Sequence, residues 1–146
     1  MKEQLITFET TNLAKEKGFN IPCNFYIYTP KNLELLNKNR ESVTGNKNTF
    51  KENHIFTQRN KYHKGREVDR NKYSTTISVP SQSLLQKWLR EVHKIDVVRI
   101  SPLNVYSFYL AKHNKIHEVN GEILFLFGDT YEEALEKGLQ EALSLI

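Results

Sequence analysis

Two capped helices that enclose a run of strands constrain this fold most, and they occupy the chain from residue 80 onward. Ser83 and Gln86 have the spacing of a capping box, and Thr130 and Glu133 repeat that spacing. Between the two boxes the hydrophobic period falls to two, which is typical of strands. The C-terminal half therefore predicts a helix, several antiparallel strands and a second helix.

Four strands are predicted between these helices. They cover Asp96–Ile100, Val105–Lys112, Lys115–Val119 and Glu122–Phe127. His113-Asn114 and Asn120-Gly121 predict two-residue turns; the Asn-Gly pair is the stronger signal, because both of its residues tolerate positive φ. The last strand is apolar on both faces, which predicts a central position in the sheet.

Each capped helix carries an apolar stripe that should form the core. The first stripe comprises Leu84, Leu85, Trp88, Leu89 and Val92. The second comprises Tyr131, Ala134, Leu135, Gly138, Leu139, Ala142 and Leu143. Gly138 costs about 1 kcal/mol of helix propensity relative to alanine. Close packing of this helix on the sheet is the expected compensation.

The N-terminal part adds one helix and two strands. The helix should run from Thr7 to Lys17, with Phe8, Leu13 and Ala14 facing inward and Gly18 ending it. Strands are predicted at Asn24–Thr29 and Tyr73–Val79, and they should pair or join one sheet. We therefore expect a single α+β domain over residues 1–146, with an antiparallel sheet of about five or six strands and two or three helices mainly on one face.

A basic, polar excursion separates those two strands, at about residues 30–72. Lys31–Tyr73 contains 11 Lys/Arg and 5 Asp/Glu, a net charge of +6, whereas the whole chain is +4 and the remainder therefore −2. A short helix should open the excursion, with Thr29 as its cap and Pro30 at its first position. Loops longer than about 15 residues are usually functional or disordered.

Cations and aromatic residues alternate in the second half of the excursion, and they form the candidate binding site. These residues are Arg59, Lys61, Tyr62, His63, Lys64 and Arg66. Lysine and arginine attract phosphates, and aromatic rings stack on exposed bases. Nucleic acid or another anion is therefore the expected ligand. The alternative is a solvated loop whose charge has no specific role.

No catalytic, metal or cofactor site is predicted. His113 and His117 flank a predicted turn and lack the further ligands that zinc requires. Because Cys23 is the single cysteine, an intramolecular disulfide is excluded. Cys23 follows a proline, at a position where an inert thiol is expected. The chain contains no Walker loop, no G-x-G-x-x-G and no G-x-S-x-G. Enzymatic function is disfavoured, and a hydrolase with a dispersed site is kept as a third option.

Three segments together resemble a set of small proteins encoded by Bacteroidales bacteria and by their phages and mobile elements. The segments are the pattern ITFET to LAKEKGF near the N-terminus, Gln82–His93, and Tyr131–Ala142. The resemblance covers about a third of the chain and brings no activity, cofactor or catalytic residue with it. It implies a setting inside a bacterial cell and marks the excursion as a specialised element.

These observations lead to an expected function in binding. The chain should be a non-enzymatic accessory protein of a phage or mobile element, with nucleic acid as the first candidate partner. The alternative is an inhibitor or sequestering protein that binds a host defence protein or a small anionic signalling molecule. We expect a cytoplasmic location and no membrane association, because no apolar run approaches ~18 residues and the N-terminus lacks a signal-peptide core. The oligomeric state is left open.

Overall fold

A computed structural model describes residues 4–44, 55–57, 62–63, 66–67, 76–100 and 106–146. The helices in these ranges are α1 (Phe8–Glu16), α2 (Pro30–Thr44), α3 (Gln82–His93) and α4 (Tyr131–Ser144). The strands are β1 (Phe25–Tyr28), β2 (Phe56–Thr57), β3 (Tyr62–His63), β4 (Arg66–Glu67), β5 (Thr76–Val79), β6 (Ile95–Ile100), β7 (Tyr106–Lys112), β8 (Lys115–Ile116), β9 (Glu118–Val119), β10 (Glu122–Ile123) and β11 (Leu126–Gly128).

The strands pair only in antiparallel fashion within the described residues, so the predicted α+β class is confirmed. They are distributed over several small sheets. One has the order β2-β1-β5, and another has the order β11-β7-β6 with β8 also on β7. β9 pairs with β10, and β3 pairs with β4. The chain divides into two compact units, one of residues 1–17 and 80–146 and the other of residues 18–79.

The unit of residues 18–79 is built on the predicted pairing of two distant strands. β1 and β5 are antiparallel neighbours, with Phe25 opposite Val79 and Tyr28 opposite Thr76. β2 pairs with the other side of β1. The predicted opening helix of the excursion is present as α2, and it extends to Thr44 rather than ending after a short run. The excursion therefore contributes regular structure to this unit.

The cap of α3 lies two residues earlier than predicted. Ser81 Oγ accepts the backbone N–H of Leu84 at 3.3 Å, whereas the Ser83 hydroxyl lies 3.1 Å from that of Ser81. The prediction of Ser83 as the cap is therefore wrong, because the helix already begins at Gln82. Thr130 caps α4 as predicted, through a 3.1 Å bond from the N–H of Glu133.

Helix α4 packs closely on the sheet through the predicted glycine. A Cβ placed on Gly138 would lie 2.7 Å from Val97 Cγ1 and 3.8 Å from Phe108 Cβ. Val97 lies on β6 and Phe108 on β7, so the glycine allows the helix backbone to approach both strands. Leu139 beside it is fully buried. The expected compensation for the poor helix propensity of Gly138 is thus confirmed.

Two residues of the predicted stripes are exposed. Val92 is 59% exposed and Tyr131 is 36% exposed, although both lie on the apolar sides of their helices. Helical periodicity gives the side that a residue faces, but it does not give the point at which the facing element ends. Both residues occupy terminal turns, Val92 in α3 and Tyr131 in α4. Trp88, one turn before Val92, is buried as predicted.

Strand β11 lies at an edge of its sheet, so the prediction that it is central is wrong. β7 is the strand in the middle, and β11 pairs with it through Leu126 opposite Phe108 and Gly128 opposite Tyr106. No other described strand lies on the far side of β11. The apolar run of this strand therefore leaves Phe127 53% exposed.

Replacing Gly138 by alanine should lower the free energy of unfolding. The gain of about 1 kcal/mol in helix propensity is smaller than the ~1–3 kcal/mol cost of overpacking a core, because the new methyl group meets Val97. In the Val97→Ala background the same change should cost less, with a coupling energy of at least about 0.5 kcal/mol. Urea unfolding of the four proteins measures both values. A Gly138→Ala protein more stable than the wild type would contradict the close approach.

Candidate functional site

The predicted basic site lies largely outside the described residues. Arg59, Lys61 and Lys64 belong to the undescribed ranges, and the structure gives only the backbone of Tyr62, His63 and Arg66. There, His63 pairs with Arg66 and Tyr62 with Glu67 in the β3–β4 ribbon. The ribbon thus brings three of the six predicted residues together. Their role in binding anions stays a prediction.

One carboxylate, that of Glu136, is buried in the unit of residues 1–17 and 80–146. Its Oε1 accepts the backbone N–H of Thr7 at 2.8 Å, and its Oε2 accepts Gln82 Nε2 at 2.9 Å. Thr7 is the cap of α1 and Gln82 is the first residue of α3. Helix N-termini carry partial positive charge, so contact with the first residues of two helices favours a carboxylate here.

The polar groups around Glu136 form hydrogen bonds with one another. Gln82 Nε2 also donates to the backbone carbonyl of Glu132 at 2.9 Å. Gln140 Nε2 donates to Thr10 Oγ1 at 2.9 Å, and this hydroxyl lies 3.0 Å from that of Thr7. Because these hydrogen bonds join α1, α3 and α4, the cluster holds the fold together rather than presenting groups to a substrate.

His93 has the most perturbed environment among the described histidines. Its ring packs edge-on against Trp88, with 4.5 Å between the ring centroids. Its Nε2 is buried and has no hydrogen-bond partner among the described residues. Burial, and then the charge of Lys112, lower the pKa of His93. Lys112 in turn donates to the backbone carbonyl of Leu145 at 2.9 Å. Burial and the nearby ammonium therefore both disfavour the protonated form of this imidazole.

His113 and Cys23 occupy simple environments among the described residues. His113 and Asn114 have φ of +52° and +63°, which confirms the predicted turn between β7 and β8. The Cys23 thiol donates to the carbonyl of Ile21 at 3.3 Å. Across the described ranges no three His, Cys, Asp or Glu side chains group in a way that could hold a metal ion.

Exposed apolar side chains lie along the segment from β8 to β11, and we call them together the hairpin surface. Its members are Ile116, Val119, Ile123, Phe125 and Phe127, which are 36–53% exposed. Ile116 lies opposite Ala111 and Phe127 opposite Ser107, so both point to the same face of β7. The ring centroids of Phe125 and Phe127 are 6.3 Å apart. An aromatic pair and an isoleucine thus share the face of β7 that lies opposite Phe108 and Leu110.

The β9–β10 ribbon carries its two apolar residues on opposite faces, so Val119 and Ile123 do not share one side of the ribbon. Val119 pairs with Glu122, and Ile123 pairs with Glu118, so each face of the two-stranded ribbon carries one apolar side chain and one carboxylate. Asn120 and Gly121 have φ of +56° and +80°, which confirms the predicted hairpin turn.

Acidic side chains border the hairpin surface. Residues 115–133 contain five Asp/Glu and one lysine, a net charge of −4. All five acids are exposed; they are Glu118, Glu122, Asp129, Glu132 and Glu133. Sequence reasoning missed this surface, because the apolar run of residues 123–127 was assigned to a central strand. The carboxylates that flank that run, Glu122 before it and Asp129 after it, were the available signal.

Two smaller features lie elsewhere in the same unit. The guanidinium carbon of Arg99 lies 5.5 Å from the ring centroid of Tyr131 and 5.9 Å from that of Tyr106, within the range of cation–π attraction. A shallow groove of about 360 Å³ runs along α1. The described residues that line it are Phe8, Glu9, Asn12, Leu13 and Glu16. Phe8 and Leu13, predicted to face inward, are therefore only half-buried, whereas Ala14 is buried as predicted.

Comparison with protein families, with curated proteins and with solved structures finds no match for this chain. None of the helices within the described ranges combines the length and the apolar character needed to cross a membrane.

The lowered pKa of His93 predicts a loss of stability as the pH falls. The folded state disfavours the protonated ring, so the unfolded chain binds the proton more tightly. The contribution of neutral His93 to the free energy of unfolding is complete above 6.5, the pKa of histidine in the unfolded chain. It is lost as the pH falls from there toward the lower pKa of the folded state. Glu34 and Glu133 have pKa values held below 4.5, so their own contributions change at lower pH.

Urea unfolding at pH values between about 7.5 and 5.5 measures this contribution. His93→Phe keeps a ring beside Trp88 and should flatten the pH dependence. His113→Asn, at an exposed turn position with positive φ, serves as the matched control and should retain the wild-type slope. If the free energy of unfolding changes equally with pH in the wild type and in His93→Phe, the imidazole of His93 does not control the pH dependence.

Proposed function

We propose that this protein acts by binding a partner protein through the hairpin surface, as a non-enzymatic accessory protein of a phage or mobile element. The observation that carries the proposal is the exposed aromatic pair Phe125 and Phe127 at the edge strand β11, with an acidic border. Burying a phenylalanine stabilises by roughly 1.5–3 kcal/mol relative to leaving it in water. Apolar patches rimmed by polar residues are typical of protein interaction sites.

The border determines which partner this surface favours. Its net charge of −4 over residues 115–133 repels a second copy of the same surface and also repels phosphates. It attracts a partner whose apolar contact area is flanked by lysine or arginine. A host protein with such a surface fits the role of an inhibitor or sequestering protein.

The β3–β4 ribbon supports a second candidate, which is binding of nucleic acid by the basic excursion. Tyr62 lies opposite Glu67 and His63 opposite Arg66 there, within a segment of net charge +6. A ribbon that carries both aromatic and cationic residues supplies the two components of single-strand binding. The two candidates use different residues, so they can be tested separately.

The protein-binding candidate predicts a specific loss in the Phe127→Ser variant. Proteins retained by the immobilised chain from a bacterial host lysate are identified, and the binding of each purified protein is then measured by calorimetry. Phe127→Ser should weaken binding of the true partner by about 10-fold or more, because truncated aromatic anchors dominate interface energies. Val92→Ser, which removes an equally exposed apolar residue from α3, should leave the affinity unchanged.

The same proteins distinguish the two candidates. Charge reversal at Arg59, Lys61, Lys64 and Arg66 is compared with Phe127→Ser for retention on heparin and single-stranded DNA. Retention that falls steeply between about 50 and 200 mM salt and disappears on charge reversal would favour nucleic acid. Equal affinities of Phe127→Ser and Val92→Ser for every retained protein would contradict binding through the hairpin surface.

A further inference from the structure

The edge of β11 exposes backbone groups that a neighbouring strand could bind. The N–H of His117 donates to the carbonyl of Leu110, so Leu110 and Phe108 direct their backbone groups to this side of β7. Leu126, which lies opposite Phe108, therefore directs its own groups toward β7. Phe127 is the next residue, and its N–H and C=O point away from the sheet. An apolar edge strand of this kind is a template for pairing with another chain.

A lysine covers that edge. Lys137 Nζ donates to the backbone carbonyl of Phe127 at 2.9 Å. The ammonium is also 3.0 Å from Glu133 Oε1, one turn earlier in α4. Glu133 Oε2 in turn accepts the backbone N–H of Asp129 at 3.2 Å. The lysine is therefore fixed by a carboxylate that is itself hydrogen-bonded to the chain leaving β11.

The opposite edge of the sheet has an equivalent cover. Val97 of β6 lies opposite Leu110, between the hydrogen-bonded pairs of β6 and β7, so its carbonyl points outward. Gln86 Nε2 of α3 donates to this carbonyl at 2.8 Å. Both helices that flank the sheet thus place one side-chain donor on an outward carbonyl, one at each edge.

We propose that Lys137 is a gatekeeper residue, which prevents two copies of this chain from pairing antiparallel along β11. The occupant of the uncovered edge is the β11 strand of a second copy, because its outward N–H and C=O at Phe127 are self-complementary across a two-fold axis. The acidic border adds repulsion between copies. The inference concerns the isolated chain and does not depend on the proposed partner protein.

The test replaces the lysine without leaving an uncompensated carboxylate. Lys137→Ala with Glu133→Gln removes the covering ammonium and retains an acceptor for the N–H of Asp129. Lys87→Ala with Glu91→Gln is the matched control, because Lys87 and Glu91 form an i,i+4 pair on the exposed side of α3. Sedimentation velocity at about 10–100 µM protein and about 0.5 M salt, which screens the acidic border, measures self-association. Circular dichroism verifies that each variant is folded.

The wild type and the control pair should sediment as monomers, and the Lys137→Ala, Glu133→Gln protein should form a concentration-dependent dimer. Adding Phe127→Ala should preserve that dimer, whereas adding Phe127→Pro should abolish it, because both changes remove the ring but proline also removes the outward backbone donor. The inference is overturned by a monomeric Lys137→Ala, Glu133→Gln protein or by a wild type that already pairs through β11. Loss of the dimer in Phe127→Ala would equally overturn it, since side-chain adhesion rather than backbone pairing would then hold the copies together.

Discussion

The hydrogen bonds accepted by the Glu136 carboxylate are the interaction on which the C-terminal helix and its neighbours depend. This carboxylate lies on α4 and accepts hydrogen bonds from the first residue of α3 and from the cap of α1, both at helix ends that favour negative charge. A buried carboxylate is costly unless its oxygens are satisfied, so the three helices must keep this mutual position. Gly138, two residues later on α4, makes the close approach of the same helix to β6 and β7.

In the sheet that α4 covers, the edge carbonyls and the aromatic side chains differ in whether they are covered. The outward carbonyls at Val97 and Phe127 are occupied by Gln86 and Lys137, whereas the rings of Phe125 and Phe127 remain exposed. Natural edge strands often carry lysine to discourage pairing with another chain. The hairpin surface therefore exposes apolar side chains, while outward carbonyls at both edges of the sheet are occupied by donors of the same chain.

Features encoded within a few residues could be predicted from the sequence, whereas most long-range side-chain contacts could not. The cap at Thr130 and the Asn120-Gly121 turn follow from local chemistry, and the alternation in two distant segments was enough to predict that β1 and β5 pair or join one sheet. The partners of Glu136 lie 129 and 54 positions away, where no local pattern reveals them. The hairpin surface was missed because an apolar strand has the same sequence pattern at an edge as in the centre. The basic site was predicted from composition, and its cations lie in ranges of which only the β3–β4 backbone is described.

The free energy of unfolding of Glu136→Ala, measured in urea, tests the central role of this carboxylate most directly. Removing it leaves the Thr7 N–H without its acceptor and reduces the Gln82 amide to its hydrogen bond with the Glu132 carbonyl, and each lost hydrogen bond to a charged group costs about 1.5–3 kcal/mol. The account predicts a loss of about 3 kcal/mol or more for Glu136→Ala, against less than about 0.5 kcal/mol for Glu141→Ala on the same helix. Equal stabilities of the two variants would contradict it.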